Sequence, residues 1–325
     1  MKIIVAGGAG FLGSHLCDKL IEQGNQIVCV DNLLTGNLDN VKHLKNNPNF
    51  QFIDHDVSKA FPENVKSELS NVNCIYQLAS PASPNENNSK SYISHPFETM
   101  RVNTLGTWKL CEIAVKLGAK FLFASTSEVY GDPEEHPQKE EYRGNVSTTG
   151  PRSVYDESKR FGETITSAFV RSKELDGRII RIFNTYGPRM GRDGRVVIEF
   201  VMAALQNKPL PIFGDGKQTR SFCYISDMID GIILAMEKGE KGEVYNLGNP
   251  NEFTILELAR KVKELVGSTS DVEFTQDLPQ DDPQRRCPDI TKAKQNLGWE
   301  PKVELEEGLK KLINYLKSTR AISAS

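Results

Sequence analysis

The 325-residue sequence predicts an α/β fold, with a doubly wound parallel sheet and a smaller C-terminal lobe. Three observations support this fold class. Short apolar segments alternate with helical segments, a glycine-rich turn follows the first apolar segment, and glycine and proline become frequent after residue 182. Parallel strands need long connections, usually helices, and the alternation supplies them.

The first half of the chain contains six predicted strands and three predicted helices. The strands are short, and several are rich in valine, isoleucine and phenylalanine, which favour extended backbone. The predicted strands are Lys2–Ala6, Gln26–Asp31, Phe50–Asp54, Cys74–Leu78, Lys120–Ala124 and Arg178–Ile182. The predicted helices are Phe11–Gln23, Pro96–Leu117 and Ser153–Leu175.

The second half has a different rhythm. Glycine and proline recur between residues 187 and 216, which predicts insertions and a smaller lobe. Val244–Asn246 is predicted to return to the main sheet as a strand. Thr254 and Glu257 have the spacing of a capping box, which predicts a helix that ends near Val266. A last helix is predicted from the apolar face formed by Leu305, Leu309, Leu312, Ile313 and Leu316.

Composition and charge disfavour several classes of protein. The 40 lysines and arginines nearly balance the 43 aspartates and glutamates, so a general nucleic-acid binder is not expected. The best apolar candidate, Ile229–Met236, is far too short to cross a membrane. A strand directly after Met1 and Lys2 leaves no room for a cleavable signal. Six scattered cysteines without a CxxC pair indicate reduced thiols and a cytoplasmic protein. The five histidines lack ligand spacing, and we expect no metal.

Three glycines in the first turn indicate a dinucleotide site. Gly7, Gly10 and Gly13 are expected to permit a tight turn, close approach of a pyrophosphate and close packing of the helix, respectively. Asp31 ends the second strand, where a carboxylate can accept ribose hydroxyls, and Asn32 rather than an arginine follows it. The pattern favours a Rossmann-like domain that binds NAD over NADP. The alternative is an ordinary strand–helix turn.

A tyrosine and a lysine indicate the catalytic centre. Tyr155 and Lys159 are four residues apart in a predicted helix, so both side chains lie on one face. Lowering a tyrosine pKa by about three units needs roughly 4 kcal/mol, which a lysine cation and an oxidised nicotinamide could supply. Thr126 follows the fifth strand, where open α/β sheets place their chemistry. The alternative is a solvated tyrosine–lysine pair.

With these motifs the chain resembles the extended short-chain dehydrogenase/reductases that act on nucleotide sugars, and within them the UDP-glucuronate decarboxylases (UDP-xylose synthases). The similarity covers nearly the whole chain, but Asn85–His95 is longer than is usual in the family. The matching segments are Gly7–Gly13, Asp31-Asn32, Thr35-Gly36, His55–Val57, Leu78–Pro84, Ser125–Pro133, Tyr155–Lys159, Arg181–Met190, Gln218–Phe222 and Asp281–Arg286.

The resemblance implies functional roles, carried over residue by residue. The implied catalytic residues are Thr126, Glu128, Tyr155, Lys159 and Arg286. The implied NAD contacts are Gly7, Gly10, Phe11, Leu12, Gly13, Asp31, Asn32, Thr35, Gly36, Asp56, Val57, Leu78, Ser80, Tyr155 and Lys159. The implied substrate contacts are Thr126, Asn184, Arg195, Arg220 and Arg286. For Asn184 the alternative is an Asx turn, and for Arg195 it is an ion pair with a nearby acid.

Two residues favour a decarboxylase over its relatives. A 4,6-dehydratase resembling this chain would carry an acid where Ser127 stands, and a hydroxyl replaces that general acid poorly. A decarboxylase needs a cation for the uronate carboxylate, and Arg286 matches that need. The alternatives are a UDP-sugar 4-epimerase and an NAD-binding protein without catalytic activity.

The resemblance also implies a mechanism. Tyr155 takes the proton of the carbon-4 hydroxyl while hydride passes to NAD. Carbon dioxide leaves the resulting β-keto acid, and Tyr155 and Thr126 donate to the enolate oxygen. Glu128 or Arg286 organises the proton source for carbon 5, and the hydride then returns to carbon 4.

The expected organisation follows from the same resemblance. Residues 1–183 are expected to bind NAD, with residues 221–250 returning to that domain. Residues 184–220 and 251–325 are expected to form the lobe that binds the UDP-sugar. Relatives dimerise through two helices of each subunit, which implies a homodimer held by a four-helix bundle.

Overall fold

The computed structural model describes residues 1–66, 68–274, 283 and 285–319. Asp281, Asp282 and Gln284 of the Asp281–Arg286 segment therefore lie outside the described residues. The strands are β1 (Lys2–Ala6), β2 (Gln26–Asp31), β3 (Phe50–Asp54), β4 (Cys74–Gln77), β5 (Lys120–Thr126), β6 (Gly177–Ile182), β7 (Thr185–Tyr186), β8 (Leu210–Ile212), β9 (Thr219–Ser221), β10 (Cys223–Tyr224), β11 (Val244–Leu247), β12 (Glu252–Thr254), β13 (Val272–Phe274) and β14 (Arg285–Arg286). The α-helices are α1 (Phe11–Glu22), α2 (Glu63–Lys66), α3 (Pro96–Arg101), α4 (Thr107–Leu117), α5 (Ser153–Lys173), α6 (Val196–Leu205), α7 (Ile225–Lys238), α8 (Ile255–Val266) and α9 (Leu305–Ser318).

Seven strands form one parallel sheet in the order β11-β6-β5-β4-β1-β2-β3. The predicted strands of the first half are confirmed. The predicted return of the chain is also confirmed, because β11 pairs with β6 from Val244 to Leu247. The strand order reverses between β1 and β4, and open α/β sheets have their ligand crevice at such a reversal.

Helices cover both faces of this sheet, as predicted. Alternate residues of β1 face opposite sides, and Ile3 packs in one apolar core with Leu16 of α1 and Ile232 of α7. Its neighbour Ile4 packs in the other core, with Leu110 of α4 and Ile165 of α5. Burial of both faces explains why the strands are almost wholly apolar.

Two elements differ from the prediction. Strand β5 continues past Ala124 to Thr126, because the backbone of its last residues still pairs with β6. The predicted helix Pro96–Leu117 is divided into α3, a π-helical segment Val102–Gly106 and α4. Asn103 lies in the π-helical segment, is buried, and donates from Nδ2 to the Ser158 hydroxyl of α5 at 3.0 Å. The wider turn thus places a polar side chain against the helix of the predicted catalytic pair.

The remaining part of the chain builds small sheets beside the carboxyl ends of the main strands. Strand β9 lies between β12 and β14 in a three-stranded sheet. The capping box is confirmed, since the Thr254 hydroxyl accepts from the Glu257 N–H at 3.1 Å and the Glu257 carboxylate accepts from the Thr254 N–H at 2.8 Å. Helix α9 and its buried leucine face are also confirmed. In the described ranges no helix has both the length and the apolar character needed to span a membrane.

Candidate active site

The glycine-rich turn brings the first turn of α1 against the sheet. Gly7 has a φ of +81°, and a Cβ there would lie 2.7 Å from the backbone nitrogen of Ala79. A Cβ at Gly13 would run into the carbonyl oxygen of Gly7. Only glycine therefore allows α1 to begin at Phe11 this close to β1. The first backbone N–H groups of a helix lack intrahelical partners and favour an anion such as a pyrophosphate.

Asp31 is fixed at the mouth of this turn. Its carboxylate accepts from the N–H of Ala9 at 3.0 Å and of Leu33 at 2.8 Å. Burial raises its pKa, and both backbone hydrogen bonds oppose that rise. A Cβ at Gly36 would lie 2.7 Å from the carboxylate, so Gly36 also leaves the space that the acid needs. The exposed Asn32 follows it. The first N–H groups of α1 can donate to the pyrophosphate of a dinucleotide, and the Asp31 carboxylate can accept from its ribose hydroxyls.

The other predicted cofactor residues border the same crevice through local contacts. The Asp56 carboxylate accepts from the Ser58 N–H at 2.9 Å, and this hydrogen bond fixes the turn after β3 that contains the buried Val57. The Leu78 N–H donates to the carbonyl oxygen of Ala6 at 3.0 Å, extending the pairing of β4 with β1. Four others lie at the start of α1 or in the loops around the crevice without contacts that define a role, and their NAD contacts stay predictions. They are Leu12, Thr35, Ser80 and Gly10.

Tyr155 and Lys159 are both buried, with exposed fractions of 6% and 3%. The alternative of a solvated pair on the helix surface is therefore wrong. Lys159 donates from Nζ to the carbonyl oxygen of Ala124 at 2.8 Å and lies 5.7 Å from the centre of the Tyr155 ring. Burial lowers the pKa of Lys159 to about 7, although Glu163 opposes that shift. Burial raises the pKa of Tyr155, so the phenol needs a nearby cation to become a base.

Thr126 joins this pair, as predicted. Its hydroxyl lies close enough to Tyr155 to lower the phenol's pKa against the effect of burial. The same oxygen accepts from the Glu128 N–H at 3.2 Å and caps the short 3₁₀ helix Ser127–Tyr130. The end of β5 therefore fixes both the hydroxyl beside Tyr155 and the acid that follows two residues later.

Glu128 is held by two arginines. Arg152 at the start of α5 and Arg286 on β14 both form ion pairs with its carboxylate. Burial raises the pKa of Glu128, but the charges of Arg152 and then Arg286 outweigh it and lower the pKa to about 2. The sequence predicted Arg286 as the cation that binds a uronate carboxylate. The structure pairs it with Glu128 instead, so a substrate carboxylate would have to share this arginine.

Two of the predicted substrate-binding arginines lie on neighbouring strands. Arg286 lies directly beside Arg220 in the pairing of β14 with β9, and both are buried. Arg195 pairs with Asp193, with Nε 2.9 Å from Oδ1, so the alternative of a local ion pair is what the structure contains. Its guanidinium also lies 5.6 Å from the ring of Phe11 at the glycine turn. The contact of Arg195 with Phe11 brings the segment before α6 to the glycine turn.

Asn184 follows β6 but has no side-chain contact that assigns it to the substrate. Its backbone carbonyl accepts from the Cys223 N–H at 2.9 Å. Its side-chain nitrogen is buried without a hydrogen-bond partner in the described part of the chain. A substrate contact therefore stays a prediction.

Sequence reasoning missed three residues at this centre. The Tyr92 ring stacks on the Tyr155 ring, with centroids 4.8 Å apart and planes 6° apart. Arg152 and Asp156 are buried on the same helix face as Tyr155. Their spacing from Tyr155 and Lys159 was a signal that could have found them, because residues three and four apart share a helix face. Tyr92 lies in the segment that departs from the family and carried no such signal.

That segment, Asn85–His95, packs against the residues that precede α6. The Ser83 hydroxyl donates to the carbonyl oxygen of Asp193. The Asn88 amide reaches the carbonyl oxygen of Arg192 at 3.5 Å. These contacts hold the beginning of the segment, and Tyr92 further along it stacks on Tyr155.

One group of potential metal ligands lies outside this centre. His136, Glu252 and Cys287 bring three ligand atoms within 4.8 Å of one another. Each atom already has a protein partner: His136 Nε2 lies 2.8 Å from the Glu252 carboxylate, and the Cys287 thiol donates to the carbonyl oxygen of Pro250 at 3.2 Å. The group links three segments around β14, and the expectation of no metal stays a prediction.

Comparison with known proteins gives consistent results. The profile of the family described as GDP-mannose 4,6 dehydratase matches residues 4–312. UDP-glucuronic acid decarboxylase 1 of Arabidopsis thaliana is 49% identical over 315 residues, which are 97% of this chain and 69% of that protein. The protein of the same description from Xenopus tropicalis is 49% identical over 317 residues, which are 97% of this chain and 72% of that protein.

Solved structures agree over the whole chain. A UDP-glucuronic acid 4-epimerase from Bacillus cereus, in complex with UDP-glucuronic acid and NAD, is 30% identical with a TM-score of 0.86 and covers 98% of this chain and 100% of its own. The dTDP-glucose 4,6-dehydratase DesIV of Streptomyces venezuelae, with NAD bound, is 28% identical with a TM-score of 0.88 and covers 99% of this chain and 98% of its own.

Proposed function

Since the chain belongs to the GDP-mannose 4,6 dehydratase family and, within it, to the UDP-glucuronic acid decarboxylases, we propose that it converts UDP-glucuronate to UDP-xylose and carbon dioxide. NAD is its cofactor. The observation that carries the proposal is the buried Glu128–Arg286 pair beside Tyr155. A neutral sugar would not need a buried guanidinium at this place, whereas a uronate carboxylate binds one well.

The chain's own residues supply the proton chemistry. NAD, when bound, accepts hydride from carbon 4 and later returns it. Tyr155 takes the proton of the carbon-4 hydroxyl, and a protonated Lys159 5.7 Å from its ring favours the phenolate. The glycine turn and Asp31 would hold the cofactor, while Arg195 lies over Phe11 beside it.

Loss of carbon dioxide follows from the 4-ketone. The bond between carbons 5 and 6 breaks, and its electron pair forms an enolate with oxygen 4. The Thr126 hydroxyl lies beside the Tyr155 phenol, and both groups donate to that oxygen. Arg286 and its neighbour Arg220 direct the anionic groups of the substrate into the site.

The test is the mass of the product. NAD-loaded protein is incubated with UDP-glucuronate, and both the sugar nucleotide and the released gas are measured. A product lighter by one carbon dioxide supports the proposal. An isobaric product would instead make the chain an epimerase. A parallel sample of Tyr155→Phe, which lacks the catalytic hydroxyl, controls for spontaneous loss.

A homodimer is a further part of the proposal. Four large apolar side chains on α3, the π-helical segment, α4 and α5 are half or more exposed, or nearly so: Phe97, Leu105, Trp108 and Phe161 have exposed fractions of 64%, 54%, 48% and 53%. Helices α4 and α5 pack side by side and can present one apolar face. A second copy of the chain covers this face in a four-helix bundle.

The cytoplasmic location is supported by the thiols. All six cysteines are free and buried, including Cys17 and Cys29, which lie next to each other. Neighbouring thiols that stay reduced are typical of a reducing compartment. The proposal would be overturned by cell fractionation that finds the protein in an oxidising compartment.

A further inference from the structure

Helix α5 buries more ionisable side chains than the proposed mechanism uses. Arg152, Tyr155, Asp156 and Lys159 follow one another at helical spacing and face the site together. Asp156 has an exposed fraction of 6%, and its Oδ1 has no hydrogen-bond partner among the described residues. The Tyr92 hydroxyl, from the segment opposite, is also buried without a partner there. Two buried oxygens without partners therefore border one polar site.

Asp156 shares this site with Glu128. Glu128 faces it from the turn after β5, Arg286 from β14, and Arg152 from the start of its own helix. The adjacent Glu157 acts on Asp156 through its charge only, since its side chain is directed to the partly exposed side of α5. Burial and then Glu128 raise the pKa of Asp156 to about 8, against the pull of Arg152 and Arg286. The pKa of Glu128 is about 2. At neutral pH one carboxyl of the pair is ionised and the other is protonated, a division that separates acid from base in active sites.

The proposed reaction needs such a proton. A carboxylate enters, carbon dioxide leaves, and carbon 5 gains a hydrogen, so each turnover consumes one proton. Tyr155 cannot provide it, because its proton comes from the carbon-4 hydroxyl and returns there. Glu128 is a poor donor, since it stays ionised between two arginines.

We propose that Asp156 holds, as a protonated carboxyl, the proton that carbon 5 receives after carbon dioxide has left. The electron pair of the broken carbon–carbon bond resides in the enolate. That pair then forms the new bond between carbon 5 and the proton, and the carbonyl at carbon 4 is restored. Asp156 is left as a carboxylate and takes up a proton from solvent before the next turnover. The inference rests on the proposed function.

The test compares Asp156→Asn with Glu157→Gln in the NAD-loaded protein. Glu157 is the adjacent carboxylate and forms an ion pair with Arg160 at 3.5 Å. Carbon dioxide and UDP-xylose are measured separately in the first turnover. We expect Asp156→Asn to release carbon dioxide within about threefold of the wild-type rate. It should form UDP-xylose about 100-fold more slowly, the usual contribution of a general acid. Glu157→Gln should match the wild type in both.

The pH dependence distinguishes a proton donor from a purely structural role of Asp156, because a structural role would leave it unchanged. Because the protonated form of Asp156 is the active one, the amount of UDP-xylose formed per carbon dioxide released by the wild type should fall above about pH 8, and Asp156→Asn should lack that fall. Loss of the Lys159 proton, whose pKa is lowered to about 7, slows the steps before carbon dioxide leaves and does not change this ratio. If the Asn variant does not bind NAD, the wild-type profile decides, and a ratio that is flat between about pH 7 and pH 9 overturns the inference. UDP-xylose formation by Asp156→Asn within threefold of wild type also overturns it. If the wild type releases no carbon dioxide at all, the proposed function itself fails.

Discussion

At the scale of single residues, the proposed preference for an acidic sugar depends on Glu128 and Arg286. They are 158 positions apart in the chain, and their ion pair closes the site between β5 and β14. Arg286 has an exposed fraction of 3%, so the contact is shielded from solvent. A guanidinium has enough donors to hold Glu128 and a second carboxylate at once, which a lysine ammonium cannot match in geometry.

Arg286→Lys should therefore keep the positive charge but slow the release of carbon dioxide. We expect the rate of carbon dioxide release to fall about 30-fold or more, because a bidentate, partly buried contact contributes on the order of 2–5 kcal/mol. Binding of UDP alone, which has no carboxylate, should change little. Single-turnover release of carbon dioxide and calorimetric titration with UDP measure the two effects. Equal losses in both would mean that Arg286 serves the nucleotide and not the carboxylate.

Glu128→Gln should destabilise the fold as well as slow the reaction. Removing one partner of a buried ion pair typically costs about 3–5 kcal/mol of unfolding free energy. The sign with pH follows from the lowered pKa: Glu128 stabilises the wild type fully above its ordinary pKa, and this contribution is lost as the pH falls towards about 2. Denaturant unfolding at neutral and acidic pH measures it. Glu157→Gln, on the partly exposed side of α5, should cost less than about 1 kcal/mol.

The sequence predicts residues whose signals are local. Tyr155, Lys159 and Thr126 were found because four-residue spacing and the end of a strand are visible in the chain itself. The helical spacing of Arg152 and Asp156 placed them near Tyr155 but gave them no role. Their partners Glu128 and Arg286 meet them only across the fold. Tyr92 was missed for the same reason, as only the folded segment stacks it on Tyr155. Contacts between distant positions are not encoded in any one motif.

At the scale of elements, the strands were predicted best. Their apolar composition follows from burial on both faces of a parallel sheet, which leaves a strong local signal. The division of Pro96–Leu117 by a π-helical segment was not predicted, because the segment Val102–Gly106 contains no proline and differs from an α-helix only in its hydrogen bonding. Such a turn is stabilised by contacts with α5, including that of Asn103 with Ser158.

The join of β1 to α1 makes a prediction at this scale. Gly13→Ala adds a Cβ that collides with the carbonyl oxygen of Gly7, and backbone cannot move aside as a side chain can. We expect α1 to shift, NAD affinity to fall at least about tenfold, and the melting temperature to drop. Gly191→Ala is the matched control, because an added Cβ there meets nothing within 4 Å. Unchanged NAD titration for Gly13→Ala would show that the turn does not set the cofactor site.

At the scale of the whole molecule, the helices on the two faces of the sheet differ in how their outer surfaces are covered. One core lies under α1, α7 and the smaller C-terminal lobe, and the other lies under α4 and α5, whose outer surface keeps large apolar side chains exposed. Trp108 packs edge-on against Phe169 at 5.2 Å, so part of this surface is already ordered within one copy. An apolar surface that is ordered but uncovered is typical of a permanent interface between subunits.

Phe161→Glu should therefore convert a dimer into a monomer. A charge placed on α5 would be buried without a partner at the interface, and the twofold symmetry of a homodimer would place it there twice. Light scattering on the eluted peak measures the mass, with Phe274→Glu as the control. Phe274 is exposed to a similar degree, 56% against 53%, but lies on β13, away from α4 and α5. A wild type that elutes as a monomer, or a Phe274→Glu variant that dissociates equally, would contradict the interface. Helix α5 carries both Phe161 at the proposed interface and the Tyr155–Lys159 pair. The monomer should therefore also melt at a lower temperature and lose activity in parallel.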